Sequence, residues 1–209
     1  YSVNFDKAIL NSKFRIELEK ELGSLLFQQL EISTKIFNPS IIELLQEENK
    51  LNSEYMKLKG GAKIDFDGKT YTLSSMTPLT TNKDRDIRRR STLAVSKWYK
   101  ENEASFDSIY DKVVKVRHEI AKKLGYENFV QLAYDRLGRV DYNHLDVAKY
   151  REQILSDIVP YVKELHLRKT NRLKLDEVMS YDLNLSFLSG NPTPKGDKDF
   201  QVNEAIKMY

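Results

Sequence analysis

The chain has 209 residues, 31% of them charged and 40% hydrophobic, with 34 Lys and Arg against 31 Asp and Glu and no cysteine. A chain this long buries about 70% of its unfolded surface, enough for one or two cores without covalent staples. Without cysteine there is no disulfide scaffold, thiolate zinc site or cysteine nucleophile, and a net charge of only +3 lacks the clustered excess that nucleic acid attracts.

In chain order, Phe14, Leu18, Leu22, Leu25 and Gln29 recur at helical spacing, widened by Leu26 and Leu30. Arg15, Glu17, Glu19, Lys20 and Glu21 fill the opposite surface. A second helix starts at Asn38-Pro39, an N-cap followed by a proline whose missing N–H is not needed in the first turn. Its stripe is Ile41, Leu44, Leu45, Leu51, Tyr55 and Leu58, and Gly60-Gly61 stops it. The short break between the two stripes predicts an antiparallel helical hairpin over residues 1–60.

Residues 61–80 carry the strand signal. Ile64 and Phe66 alternate with polar residues, Asp67-Gly68 follows, and Tyr71 and Leu73 alternate again before Pro78. Asp-Gly between two alternating runs marks a hairpin, because both central turn positions need positive φ.

Residues 81–189 read as helices. Ile87, Ser91, Ala94, Val95 and Trp98 share one face, and a long helix carries Phe106, Ile109, Tyr110, Val113, Val116, Ile120 and Leu124. Gly125 ends it, with Tyr126 placed for the apolar contact of a Schellman motif. A short helix holds Phe129, Leu132, Ala133 and Leu137 before Gly138. Asn143 caps a helix expected over 144–174, which Pro160 should kink or split. Residues 190–209 read as a Gly/Pro loop and the start of a further helix. The chain opens on Tyr1 rather than methionine and closes on Ile206-Lys207-Met208-Tyr209, a helix still in progress. Both ends read as cut, so a longer polypeptide is expected.

Four groupings bear on chemistry. His118-Glu119-Ile120-Ala121-Lys122 is one residue short of the zinc helix His-Glu-x-x-His, but Lys122 has no lone pair for zinc near neutral pH. His144 and His166 lie 22 positions apart on another helix, so His118 and Glu119 are expected as surface residues. Lys83, Arg85, Arg88, Arg89 and Arg90 suit either a phosphate or acids on a neighbouring element. Lys163, Arg168, Lys169, Arg172 and Lys174 sit late in a helix, where cations complement the dipole. The segment from Tyr134 to Tyr142 packs two arginines, two aspartates and two tyrosines around a helix stop. It suits a peptide-binding wall or an ion-pair latch between helices.

Asp65 to Leu73 with Asp84-Arg85-Asp86-Ile87-Arg88, Arg117 to Phe129, Arg136, Arg139-Val140-Asp141-Tyr142, Ile158-Val159-Pro160, Tyr181-Asp182 and Ala205 to Tyr209 follow one another in a telling order. Colinearly, they resemble motifs of the oligoendopeptidase F-like zinc metallopeptidases, which belong with the thimet oligopeptidases. The resemblance implies a mainly α, elongated multi-helix assembly with one small β-hairpin, forming part of a larger helical peptidase fold. It implies a deep cleft that admits short peptides, with zinc on a His-Glu-x-x-His helix activating the attacking water. This chain has no such motif, and its matched stretches lie upstream of it. The chain is therefore expected to be the N-terminal part of such an enzyme, inactive alone and binding no zinc itself. Its partners would be short peptides and the missing C-terminal catalytic part of the same polypeptide, not nucleic acid or membrane. Localisation is expected to be cytoplasmic: no apolar run approaches the about 18 residues of a membrane span, and no signal-peptide core opens the chain. No catalytic or metal residue is assigned here, and Arg136, Arg139 and Tyr142 are the candidate substrate-binding residues. The alternative is a non-catalytic helical module that holds peptides or a protein partner.

Overall fold

The computed structural model describes residues 2–208. In chain order the helices are α1 (Ser2–Leu10), α2 (Arg15–Leu22), α3 (Ser24–Lys35), α4 (Ile42–Gly60), α5 (Thr77–Thr80), α6 (Arg85–Glu101), α7 (Glu103–Lys123), α8 (Phe129–Arg136), α9 (His144–Gln153), α10 (Val159–Arg172) and α11 (Lys198–Met208). Strands β1 (Ile64–Phe66) and β2 (Lys69–Tyr71) form a small antiparallel sheet between α4 and α5 in sequence. The fold is thus mainly helical with one β-hairpin. Among the described residues no helix is long and apolar enough to cross a membrane. The chain forms two compact units, residues 1–61 with 99–161 and residues 62–98 with 162–209.

In the first unit, the stripe from Phe14 to Leu30 is divided between α2 and α3 rather than forming one helix. Gly23 sits at the junction with φ 92°, a conformation that a right-handed helix cannot contain. A further helix, α1, precedes them and packs on α3, where the Ser33 hydroxyl donates to the Asp6 carboxylate. Asn38 caps as expected: its Oδ1 accepts the Ser40 N–H at 2.9 Å, and a single 3-10 turn, Pro39–Ile41, leads into α4. α4 lies along α7. Their shared core is Ile41, Ile120, Ala121, Tyr126 and Leu132, ringed by Ile36, Leu44, Leu45, Val116, Leu124 and Phe129. Burying each such aliphatic side chain stabilises the unit by about 1.5–3 kcal/mol.

The helix expected over 144–174 is interrupted before Pro160. A π-helical turn, Ile154–Ile158, separates α9 from α10, and the Val159 N–H bonds the Ile154 carbonyl five residues back. Proline lacks the N–H that would bond the carbonyl four residues earlier, so the backbone widens there by one residue.

In the second unit, Asp67 (φ 46°) and Gly68 (φ 77°) form the two-residue turn, with Ile64 opposite Tyr71 and Phe66 opposite Lys69. Ile64 and Phe66 point inward and Asp65 outward. β2 stops at Tyr71, short of Leu73, because Ser75 Oγ captures the Thr72 N–H at 2.7 Å and turns the chain. The 190–196 loop is pinned by Asn191, which accepts from Ser186 N–H and donates to the Asn184 carbonyl. Tyr1 and Tyr209, on which the reading of the two ends rests, lie outside the described residues.

Candidate functional site

Two helix stops shape the 134–142 segment. At the end of α7, Gly125 has φ 81°, its N–H bonds the Lys122 carbonyl at 3.0 Å, and the Tyr126 N–H bonds the Ala121 carbonyl at 2.9 Å. That is a complete Schellman motif. It turns Tyr126 into the core, where its hydroxyl donates to the Asp135 carboxylate of α8. Burial, and then this bond, push the Tyr126 phenol well above its ordinary range. Gln131 Nε2 donates to Asp135 at 2.8 Å, and Lys35 Nζ stands 3.8 Å from Asp135 and over the Tyr126 ring. α8 ends in the same way, with Gly138 at φ 64° and the Arg139 N–H on the Tyr134 carbonyl at 3.0 Å. This second stop carries residues 139–143 away from the helix, until Asn143 opens α9. Asn143 Oδ1 accepts the Leu145 N–H at 2.8 Å, and Asp146 returns a bond to the Asn143 N–H.

The three candidate substrate-binding residues occupy two different settings. Arg136, in the last turn of α8, bonds Glu48 of α4 at 3.0 Å and 3.3 Å. Arg117 of α7 bonds the same carboxylate at 2.7 Å, and both guanidinium groups flank the Phe129 ring at 5.3 and 5.5 Å. Glu48 is only 7% exposed, so Arg136 takes part in a three-helix ion-pair latch. Arg139 and Tyr142 lie together instead. The Arg139 guanidinium rests 5.2 Å from the Tyr134 ring centre and 5.7 Å from that of Tyr142, and the two rings meet edge to face at 6.0 Å. Among the described residues Arg139 makes no side-chain hydrogen bond and no ion pair. With Asp146 these residues border two open cavities. One, of about 480 Å³, also reaches Lys35 and Asp135. The other, of about 470 Å³, is completed by Val147 and Tyr150.

Residue type alone does not mark Glu48, although its place in the sequence carries the signal. It falls between Leu44, Leu45 and Leu51 on the apolar stripe of α4, where a carboxylate needs a partner.

In the second unit the basic run 83–90 is matched by acids of the same chain. Arg85 bonds Asp182 at 2.9 Å and the Glu177 carbonyl at 3.1 Å. Arg88, 2% exposed, bonds Asp182 at 2.7 Å and the carbonyls of Asn82 and Lys83. Arg90 bonds Asp67 and Asp86 at 2.6 Å each and lies over the Phe66 ring. Asp182 is fully buried. Burial pushes its carboxyl up, but the Arg85 and Arg88 bonds and the Met179 N–H outweigh that and hold it below the usual carboxylate range. In the later basic cluster, Arg172 bonds the Ser186 carbonyl and covers Phe187, Lys169 bonds the Leu183 carbonyl, and Arg168 pairs with Glu164 on its own helix.

Among the described residues no three His, Asp or Glu side chains converge to hold a metal. His118 and Glu119 are exposed on α7, and Glu119 stands 3.9 Å from Lys123. The side chains here therefore do not fit a catalytic zinc.

The fold with these clusters matches one family. The model of peptidase family M3 matches residues 78–207, more than half of the chain. The chain belongs to that family. Three solved structures match over all of it. One, assigned as an oligoendopeptidase F, is 43% identical with a TM-score of 0.93; a second, so assigned from Bacillus anthracis str. Ames, is 44% identical with a TM-score of 0.90. PZ peptidase A with an inhibitor is 44% identical with a TM-score of 0.92. The chain spans 37%, 38% and 37% of the length of these three. No curated protein matches it significantly.

Proposed function

We propose that the chain is the N-terminal part of a zinc-dependent oligoendopeptidase that hydrolyses short peptides. The observation that carries this reading is the 43–44% identity, across the whole chain, to two structures assigned as oligoendopeptidase F and to PZ peptidase A. The rest of the polypeptide supplies the zinc and the catalytic residues. Zinc held by that part would supply a water activated for attack on a carbonyl. Residues 1–209 supply peptide-binding surface and are inactive alone. Arg139 and Tyr142 contact substrate directly, whereas Arg136 acts through the Glu48 latch that fixes the end of α8. The protein works in the cytoplasm, and its partners are peptides rather than nucleic acid or membrane.

The test is hydrolysis by the full polypeptide of a series of quenched peptides of increasing length, with and without a zinc chelator. Cleavage confined to short peptides and abolished by chelation is expected. Equal cleavage of an unfolded protein, or chelator-resistant cleavage, would contradict the reading. A non-catalytic binding module would retain peptide affinity in the full polypeptide and cleave nothing.

A further inference from the structure

We propose that Arg139 is a carboxylate receptor, and that the cavity beside it seats an apolar side chain next to that carboxylate. This rests on the peptide-binding reading above and names the substrate class more narrowly.

Arg139 is a cation without a bonded acid or carbonyl among the described residues. Arginines of the latch and of both basic clusters each bond an acid or a carbonyl: Arg136 and Arg117 hold Glu48, Arg85 and Arg88 hold Asp182, Arg90 holds Asp67, and Arg172 holds the Ser186 carbonyl. Arg139 is half-buried and has no such partner among the described residues. Its position is nevertheless defined. The Gly138 stop fixes its backbone, and the guanidinium carbon lies 5.2 Å from the Tyr134 ring centre and 5.7 Å from that of Tyr142, within cation–π range of both. Ring contacts occupy none of its N–H groups, and a guanidinium with unoccupied N–H groups receives a carboxylate through two parallel hydrogen bonds.

The neighbouring acids do not fill the fork. Asp146 accepts from the Asn143 N–H at 3.1 Å and lies 3.7 Å from Lys149. Asp135 is taken by Tyr126, Gln131 and Lys35. The cavity of about 470 Å³ that Arg139 borders is otherwise walled by Tyr142, Val147 and Tyr150, with Asp146. An apolar side chain fits against those three, while the adjoining carboxylate meets Arg139. A peptide offers that pair of groups in two ways: a C-terminal carboxylate on an apolar residue, or an acidic residue beside an apolar one.

The experiment uses the full polypeptide and four fluorogenic peptides. Two share a sequence with a C-terminal Leu and differ only as free acid or amide; two are amides that differ only as internal Glu or Gln. We expect a KM about tenfold lower for the carboxylate-bearing member of one pair, with kcat unchanged, and loss of that preference in Arg139→Gln. The pair that shows it identifies the source of the carboxylate. Tyr150→Ala should raise KM for acid and amide alike, preserving their ratio. Equal KM within both pairs, or an equal rise for all four peptides in Arg139→Gln, would overturn the carboxylate site and leave the peptidase reading intact. Hydrolysis of none of them would overturn the peptidase reading instead. Calorimetric titration of the same four peptides would then decide the carboxylate site by the same comparison.

Discussion

Arg88 and Asp182 stand 94 positions apart in sequence, yet their side chains bond at 2.7 Å with Arg88 2% and Asp182 0% exposed. Arg88 closes the Asp84–Arg88 motif and Asp182 closes the Tyr181-Asp182 motif, and Arg85 of the first motif bonds the same carboxylate. A buried charge is tolerated only when paired and hydrogen-bonded, so the pair ties α6 to the turn at Ser180–Asp182. Asp182→Asn leaves a buried guanidinium uncompensated. It should destabilise the protein by about 3–5 kcal/mol, read as a lowered urea midpoint. A change below about 0.5 kcal/mol would show that the pair is dispensable.

The same carboxylate gives a pH dependence of definite sign. Asp182 titrates below its ordinary range when folded, so the unfolded chain binds its proton first as pH falls. Its contribution is fully present above the unfolded value of about 3.9 and is lost as pH drops through the lower folded value. Urea midpoints between about pH 7 and pH 3 should fall on the acid side, and that fall should be shallower in Asp182→Asn. An identical acid limb in both proteins would assign it to other carboxylates.

Glu48 links α4, α7 and α8 through Arg117 and Arg136. Glu48→Gln keeps the volume and removes the charge. Charge-assisted bonds contribute about 1.5–3 kcal/mol each, and Arg117 is 37% exposed, so its share is discounted for solvent screening. A net loss of about 2 kcal/mol is expected, measured by thermal melting. If Arg139 and Tyr142 touch substrate, the variant should also raise KM, because the end of α8 sets where residue 139 begins.

Gly125 has φ 81°, and open space surrounds the position a Cβ would take. Gly125→Ala therefore reports backbone strain alone, about 1–2 kcal/mol. A neutral result would mean that the Schellman turn relaxes without cost.

Much of the fold was legible because its signals are local. Asn38 and Asn143 as caps, Asp67-Gly68 as a turn, Gly125 as a stop and Pro160 as a helix interruption each act through the few residues beside them. Gly23 was equally local but was masked by the leucine stripe running through it. The acids were harder to read. Asp135, Asp182 and Glu48 are buried because distant arginines, lysines or tyrosines reach them, and no spacing rule records a partner 94 positions away. Of the site, the density of Arg and Tyr around Gly138 was visible in the sequence. The division of labour between Arg136 in a latch and Arg139 on a cavity was not, since it depends on which way α8 faces α4.

Zinc content and hydrolysis of a quenched short peptide, measured on residues 1–209 alone and on the full polypeptide, separate a catalytic part lying outside these residues from one within them. One bound zinc per full polypeptide with chelator-sensitive cleavage is expected, and neither zinc nor cleavage for residues 1–209. Zinc-dependent hydrolysis by residues 1–209, or a full polypeptide that binds no zinc and cleaves no peptide, would contradict that expectation.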